Sequence, residues 1–224
     1  MLSANKIFFQ EQGKRLTPRN RNWLFAGSAF VIILNIALFA ALGSGENWCY
    51  WFYRSSPEWE AFVPLNLLAA LTSSFGHLSW SHVLMNAFAF LGCGLYLERR
   101  TGTLKLLLLV LIFAFFSAGL LAVVFNRANE GVGYSGVNYA FIAYIVLDYF
   151  TTVKRSDRFQ RVFGGIAVFC LVLGSFVDAE AAGFPLAYYP VNLAHNVAHY
   201  SGLFAGAAIW AFERVVKWLE RTDA

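Results

Sequence analysis

Long runs of uncharged, apolar residues constrain this chain more than any other feature. Residues 23–42 are continuously apolar, and comparable stretches follow at 79–97, 104–125, 135–153, 162–177 and 195–212. A helix crossing a bilayer needs about 20 such residues. Only 13% of the 224 residues are charged, 58% are hydrophobic and the mean hydropathy is +0.55. Soluble domains carry roughly 25% charged residues. The expectation is an all-α, polytopic membrane protein of six transmembrane helices. A secretory h-region runs only about 7–15 residues, so 23–42 reads as a retained first helix with Trp23 at the interface. Cys49, Cys93 and Cys170 are odd in number and far apart, which suits neither a disulfide framework nor a metal site.

The basic residues orient the chain. Of 17 Lys and Arg, five lie in the N-terminal tail, three at 98–105, four at 151–161 and three in the C-terminal tail. Arg54 and Arg127 alone fall on the other side. The positive-inside rule therefore puts both termini in the cytoplasm. The expected organisation is a cytoplasmic tail over 1–22, a membrane domain over 23–212 and a cytoplasmic tail over 213–224. Loops 44–78, 126–134 and 178–194 face outward. The first is rich in aromatics, including Trp48, Trp51 and Trp59, as suits a segment embedded in the outer interface. The bilayer is the expected partner; nucleic acid is not.

Polar residues within these spans are costly and point to function. All four histidines lie at the outer ends of two apolar segments: His77 and His82 by the second, His195 and His199 by the sixth. The helical rise puts His82, His199 and Ser135 roughly 24, 21 and 28 Å above the cytoplasmic boundary. A serine and two histidines thus share one layer. Gly202 and Gly206 on the sixth helix, and Gly136 and Ala140 on the fourth, are small-residue stripes that let two backbones approach. Contact between them would bring Ser135 within reach of His199.

A serine hydroxyl becomes a competent nucleophile when a neighbouring base takes its proton. No carboxylate is placed to orient His199: Asp148 lies about 20 Å deeper along the fourth helix, and Glu213 at the far end of the sixth. The pattern is that of a Ser–His dyad. Tyr139, one turn from Ser135, can pack against the imidazole. Ser135 at a helix N-terminus offers its own backbone N–H, and His82 and Asn86, four apart, offer two side-chain donors on one face.

These residues resemble the motifs of the rhomboid intramembrane serine proteases. His77, His82 and Asn86 match His-x4-His-x3-Asn, and Glu98 with Arg100 matches Glu-x-Arg. Gly133, Ser135 and Gly136 match Gly-x-Ser-Gly, followed by Tyr139. Ala198, His199, Gly202 and Gly206 match Ala-His-x-x-Gly-x3-Gly. The resemblance covers roughly residues 60–212 and is to the six-helix bacterial type. It implies Ser135 as nucleophile, His199 as general base, and His82, Asn86 and the Ser135 amide as the oxyanion hole, with Gly133 shaping the turn. It further implies loop 44–78 as a membrane-embedded first loop, and loop 178–194 with the fifth helix as cap and lateral gate. No metal or cofactor is implied. Substrates would be single-span or C-terminally anchored membrane proteins, cut in or near their transmembrane segments on the outer face of a bacterial inner membrane.

Some positions depart from the family pattern. Leu68 and Ala69 stand where a Trp-Arg pair is common. His195 and Asn138 are extra polar residues near the site; His195, with His77, is expected to line a route for water. The context of Trp80 resembles rhombosortases. Two other readings exist: a histidine-ligated membrane haem or metal protein, and a catalytically inactive relative that escorts membrane clients. The crowding of the histidines at one end, without a His-Glu-x-x-His pattern, disfavours the first. The full set of serine, base and donors disfavours the second.

Overall fold

The computed structural model describes residues 25–43, 71–72, 74–77, 79–119, 133–152, 158, 160–169 and 190–222, with the side chains of the last helix described from Ala198 onward. Among these residues the chain is helical, without strands. In order they form α1 (Ala26–Leu42), α2 (Trp80–Thr101), α3 (Thr103–Ala114), α4 (Ser135–Thr152), α5 (160–169) and α6 (Pro190–Thr222). A π-helical turn, Phe115–Gly119, continues α3. Most of loop 44–78, and all of 178–189, lie outside the described residues, as do Cys49 and Cys170.

The surface is inverted relative to a water-soluble protein. Met85, Phe88 and Phe204 are 71%, 73% and 73% exposed, while Asp148 and Glu98 are 4% and 2% exposed. Apolar side chains outside and satisfied polar groups within are what a hydrocarbon solvent selects. By length and composition Trp80–Thr101 is the one helix among the described residues long and apolar enough to cross a membrane; Ala26–Leu42 and Thr103–Ser117 are shorter apolar helices.

Helix α4 is the centre of the bundle. It is buried along most of its length: Val137, Ala140, Phe141, Tyr144 and Ile145 are all covered, as are Asn138 and Asp148. It packs against α2, α3 and, most extensively, α6. Phe141 meets Phe113 edge-on at 4.9 Å between ring centroids and Phe90 at 5.5 Å.

Element boundaries depart from the sequence expectation at the start of α1, at the end of α2 and at both ends of α6, which begins at Pro190 rather than residue 195. Helix α1 begins at Ala26 rather than residue 23, because Phe25 turns the chain at φ 81°. The Glu98 carboxylate then caps the first turn, accepting the Gly27 and Ser28 amides at 2.8 and 2.9 Å and the Ser28 hydroxyl at 2.6 Å. A carboxylate at a helix N-terminus satisfies orphan amides and opposes the dipole. The Thr103 hydroxyl also donates to Glu98, at 2.6 Å, so one side chain joins α1, α2 and α3. Helix α2 runs on to Thr101 and stops at Gly102, whose φ of 84° reverses the chain directly into α3. Helix α6 continues ten residues beyond the apolar stretch, to Thr222.

At the end of α4 away from Ser135, two buried carboxylates are saturated. Asp148 accepts from the Tyr96 hydroxyl at 2.9 Å and pairs with Arg100 at 3.0 Å and Arg214 at 3.1 Å. Glu213 pairs with Lys105 at 2.7 Å and accepts from the Tyr144 hydroxyl at 2.9 Å. Arg100 and Lys105, counted above among the basic residues of a cytoplasmic connection, are therefore buried ion-pair partners rather than solvated charges.

Candidate active site

The site grows from the contact between α4 and α6. A Cβ on Gly202 would collide with the Gly136 carbonyl oxygen, and one on Gly206 with that of Ala140. On the other side of Gly136, a Cβ would meet Ser117 Cβ at 2.8 Å. Only hydrogen at these positions lets the backbones lie this close. The π-turn contributes to the same junction, because the Ser201 hydroxyl of α6 donates to the Ser117 carbonyl at 3.1 Å. A π-turn disturbs the regular helical ladder and is common at functional sites.

This approach brings Ser135, the first residue of α4, to His199. The hydroxyl oxygen lies 2.8 Å from His199 Nε2. His199 is 4% exposed. The Tyr139 ring stacks on its imidazole with 4.1 Å between centroids and 13° between planes. Asp148 and Glu213 are engaged at the opposite end of the bundle, as described above. The pair is therefore a serine and an imidazole within hydrogen-bond reach, with an aromatic face holding the ring.

Donors converge on the turn before Ser135. Gly133 has φ 136°, a conformation side chains rarely adopt, and its Cβ position is already filled. An added Cβ there would lie 2.7 Å from His82 Cε1, 2.9 Å from His82 Nε2 and 3.8 Å from Asn86 Nδ2. The imidazole of His82 and the amide of Asn86 thus face the same turn from α2. Ser79 caps α2 by accepting the His82 backbone N–H at 3.2 Å, which fixes where that helix starts. As the first residue of α4, Ser135 has a backbone N–H with no intrahelical acceptor.

His77 is fully buried, with Nδ1 3.2 Å from the Phe75 carbonyl oxygen, and its ring meets His82 edge-on at 5.0 Å. Burial, assisted by the neighbouring His82, pushes its pKa down from 6.5 to about 4. The ring therefore stands as a neutral neighbour of His82, with no exposed surface of its own. The side chain of His195 lies outside the described residues. Asn138 is 3% exposed and donates both to the backbone carbonyl and to the side-chain oxygen of Asn86, each at 3.1 Å. Its partner could not be read from the chain; a lone amide on a largely apolar helix was the signal.

An all-helical bundle with an apolar exterior, holding a serine–imidazole pair and amide and imidazole donors at one end, defines the class of protein. The family model of the rhomboid domain matches residues 64–214. The chain is 32% identical over 187 residues to the Rhomboid protease GlpG of Yersinia pestis (strain Pestoides F), covering 80% of this chain and 60% of that protein. It is 30% identical over 187 residues to the Rhomboid protease GlpG of Yersinia enterocolitica serotype O:8, with the same coverage. The chain belongs to the rhomboid family. It spans about 60% of the length of the curated relatives it matches.

Proposed function

We propose that this chain is an intramembrane serine endopeptidase that cuts membrane proteins in or near their transmembrane segments. The observation that carries the reading is the 2.8 Å contact between Ser135 and His199 Nε2 beneath the stacked Tyr139. Membership of the rhomboid family, and its similarity to proteins named as rhomboid proteases, support it.

In the proposed reaction, His199 Nε2 takes the hydroxyl proton as Ser135 Oγ attacks the scissile carbonyl. The oxyanion accepts from the Ser135 amide, the His82 imidazole and the Asn86 amide. His199 then passes the proton to the departing amine, leaving an acyl-enzyme, and water on the same base releases the second product. No metal or cofactor enters these steps. Tyr139 orients the base, and Gly133, Gly136, Gly202 and Gly206 supply the close approach that the geometry needs.

The same reading sets the protein in a bacterial inner membrane with six spans in residues 23–212, tails 1–22 and 213–224 in the cytoplasm, and the site open to the outer side. The distribution of Lys and Arg supports this orientation. The substrates are single-span or C-terminally anchored proteins, with small residues at the cut and helix-weakening residues beyond it. A helical peptide bond is otherwise shielded from attack. Purified full-length protein should react with a fluorophosphonate at Ser135 and cleave a model single-span substrate. Ser135→Ala should remove both activities and leave thermal unfolding unchanged; cleavage by that variant would overturn the dyad.

A further inference from the structure

We infer that Asn138 is a positioning residue of the oxyanion hole: it sets which end of the Asn86 side-chain amide faces the reacting carbonyl. The inference rests on the serine-protease reading above.

One atom of the pair has a fixed identity. Asn138 Nδ2 lies 3.1 Å from the backbone carbonyl oxygen of Asn86, which can only accept. The Asn138 atom there must be the amino end of its amide. The same Nδ2 lies 3.1 Å from the Asn86 side chain, so its second hydrogen must meet the oxygen, Oδ1. One backbone carbonyl thus fixes the orientation of both amides. With Oδ1 held, Asn86 Nδ2 is turned the other way, toward the position that a Cβ on Gly133 would occupy, 3.8 Å off.

That amino group is a donor in waiting. Asn86 is 8% exposed, and its Nδ2 has no hydrogen-bond partner among the described residues. A buried donor without an acceptor is costly, and here it lies beside the turn that carries the nucleophile. Without Asn138 the Asn86 amide could rotate by half a turn, at little steric cost, and present an acceptor oxygen to the oxyanion. That would exchange attraction for repulsion. Donation into Oδ1 also polarises the Asn86 amide and strengthens its own N–H groups as donors. The Asn138 side chain donates to Asn86 and not to Ser135 or His199, so its effect passes through Asn86.

The test is a double-mutant cycle on the full-length protein, with kcat and KM measured on a model single-span substrate. Asn138→Leu should lower kcat about 10- to 100-fold, less than the roughly 100- to 1000-fold that outright removal of an oxyanion donor costs, with KM changed less than about 2-fold. On an Asn86→Ala background the same substitution should change kcat less than about 2-fold, since no amide remains to be oriented. Asn138→Asp, nearly isosteric but an acceptor, should draw Asn86 Nδ2 to itself and lose at least as much; it carries the test if the leucine variant does not fold. Unchanged kcat in both Asn138 variants would overturn the inference, as would an equal loss with and without Asn86. Either outcome leaves the protease reading intact. A wild-type protein that neither cleaves nor reacts with fluorophosphonate would remove the protease reading and this inference with it.

Discussion

The two ends of α4 solve the problem of polar groups inside an apolar bundle in opposite ways. Near Asp148 the buried carboxylates are answered: they meet Arg100, Arg214 and Lys105, and two tyrosine hydroxyls donate to them. Near Ser135 the groups carry hydroxyl, imidazole and amide functions, and Asn86 Nδ2 and Asn138 Oδ1 have no partner among the described residues. Saturated ion pairs fix helices to one another and have nothing left to offer a ligand. Donors left partly unmet cost stability but are ready for a charge that develops on a substrate. The contrast separates the end that holds the bundle from the end proposed to do chemistry.

Substitutions should respect that division. The largest effect is expected from Gly206→Val, which drives a side chain into the Ala140 carbonyl oxygen and pries α6 from α4. Because misplacement by about 1 Å can cost 10²-fold in rate, cleavage of a single-span substrate should fall at least about 100-fold, and unfolding should occur at lower temperature. Asp148→Ala attacks the other end. Removing the carboxylate that pairs with Arg100, whose side chain is 9% exposed, should cost about 3–5 kcal/mol in denaturant titrations. Turnover per folded molecule should stay near wild type, since Asp148 takes no part in orienting His199. A large loss of turnover in the folded fraction would show that the two ends are not separate.

The smallest effect concerns pH. His77 stays neutral in the folded protein down to about 4, whereas the unfolded chain takes up a proton near 6.5. The unfolded state thus binds more protons between these values, so stability is full above about 6.5, falls as pH drops toward 4 and levels off below. The slope from this group is at most about 1.4 kcal/mol per pH unit. Melting temperatures measured from pH 7 to 4.5 should show the decline, and His77→Gln should flatten that part of it.

Much of the site was legible in the sequence because helices convert spacing into depth. Counting residues from the charged ends put Ser135, His82 and His199 in one layer, and small residues at Gly136, Gly202 and Gly206 showed which faces meet. What counting cannot supply is the rotation of one helix against another. Asn138 stood out as an extra amide, yet only the packed bundle pairs it with Asn86, on a different helix. Lys105 and Arg100 entered only as a count of basic residues on one side, because a pattern rule counts charges without knowing which carboxylates face them. Helix α6 outran its apolar stretch because Glu213 and Arg214 end the hydrophobic run while pairing with groups on α3 and α4, so the helix loses nothing by continuing. The start of α1 depended on Glu98, a residue some seventy positions away.

The stacked Tyr139 has a consequence for motion as well as for position. A flat ring at 4.1 Å and 13° acts on the imidazole as a bearing. It resists tilting of His199 out of plane. A general base must serve two atoms in turn, the serine oxygen and then the departing nitrogen. In the proposed reaction such a bearing would guide Nε2 from one to the other along a fixed surface, so that an aromatic face lays out the path of the proton.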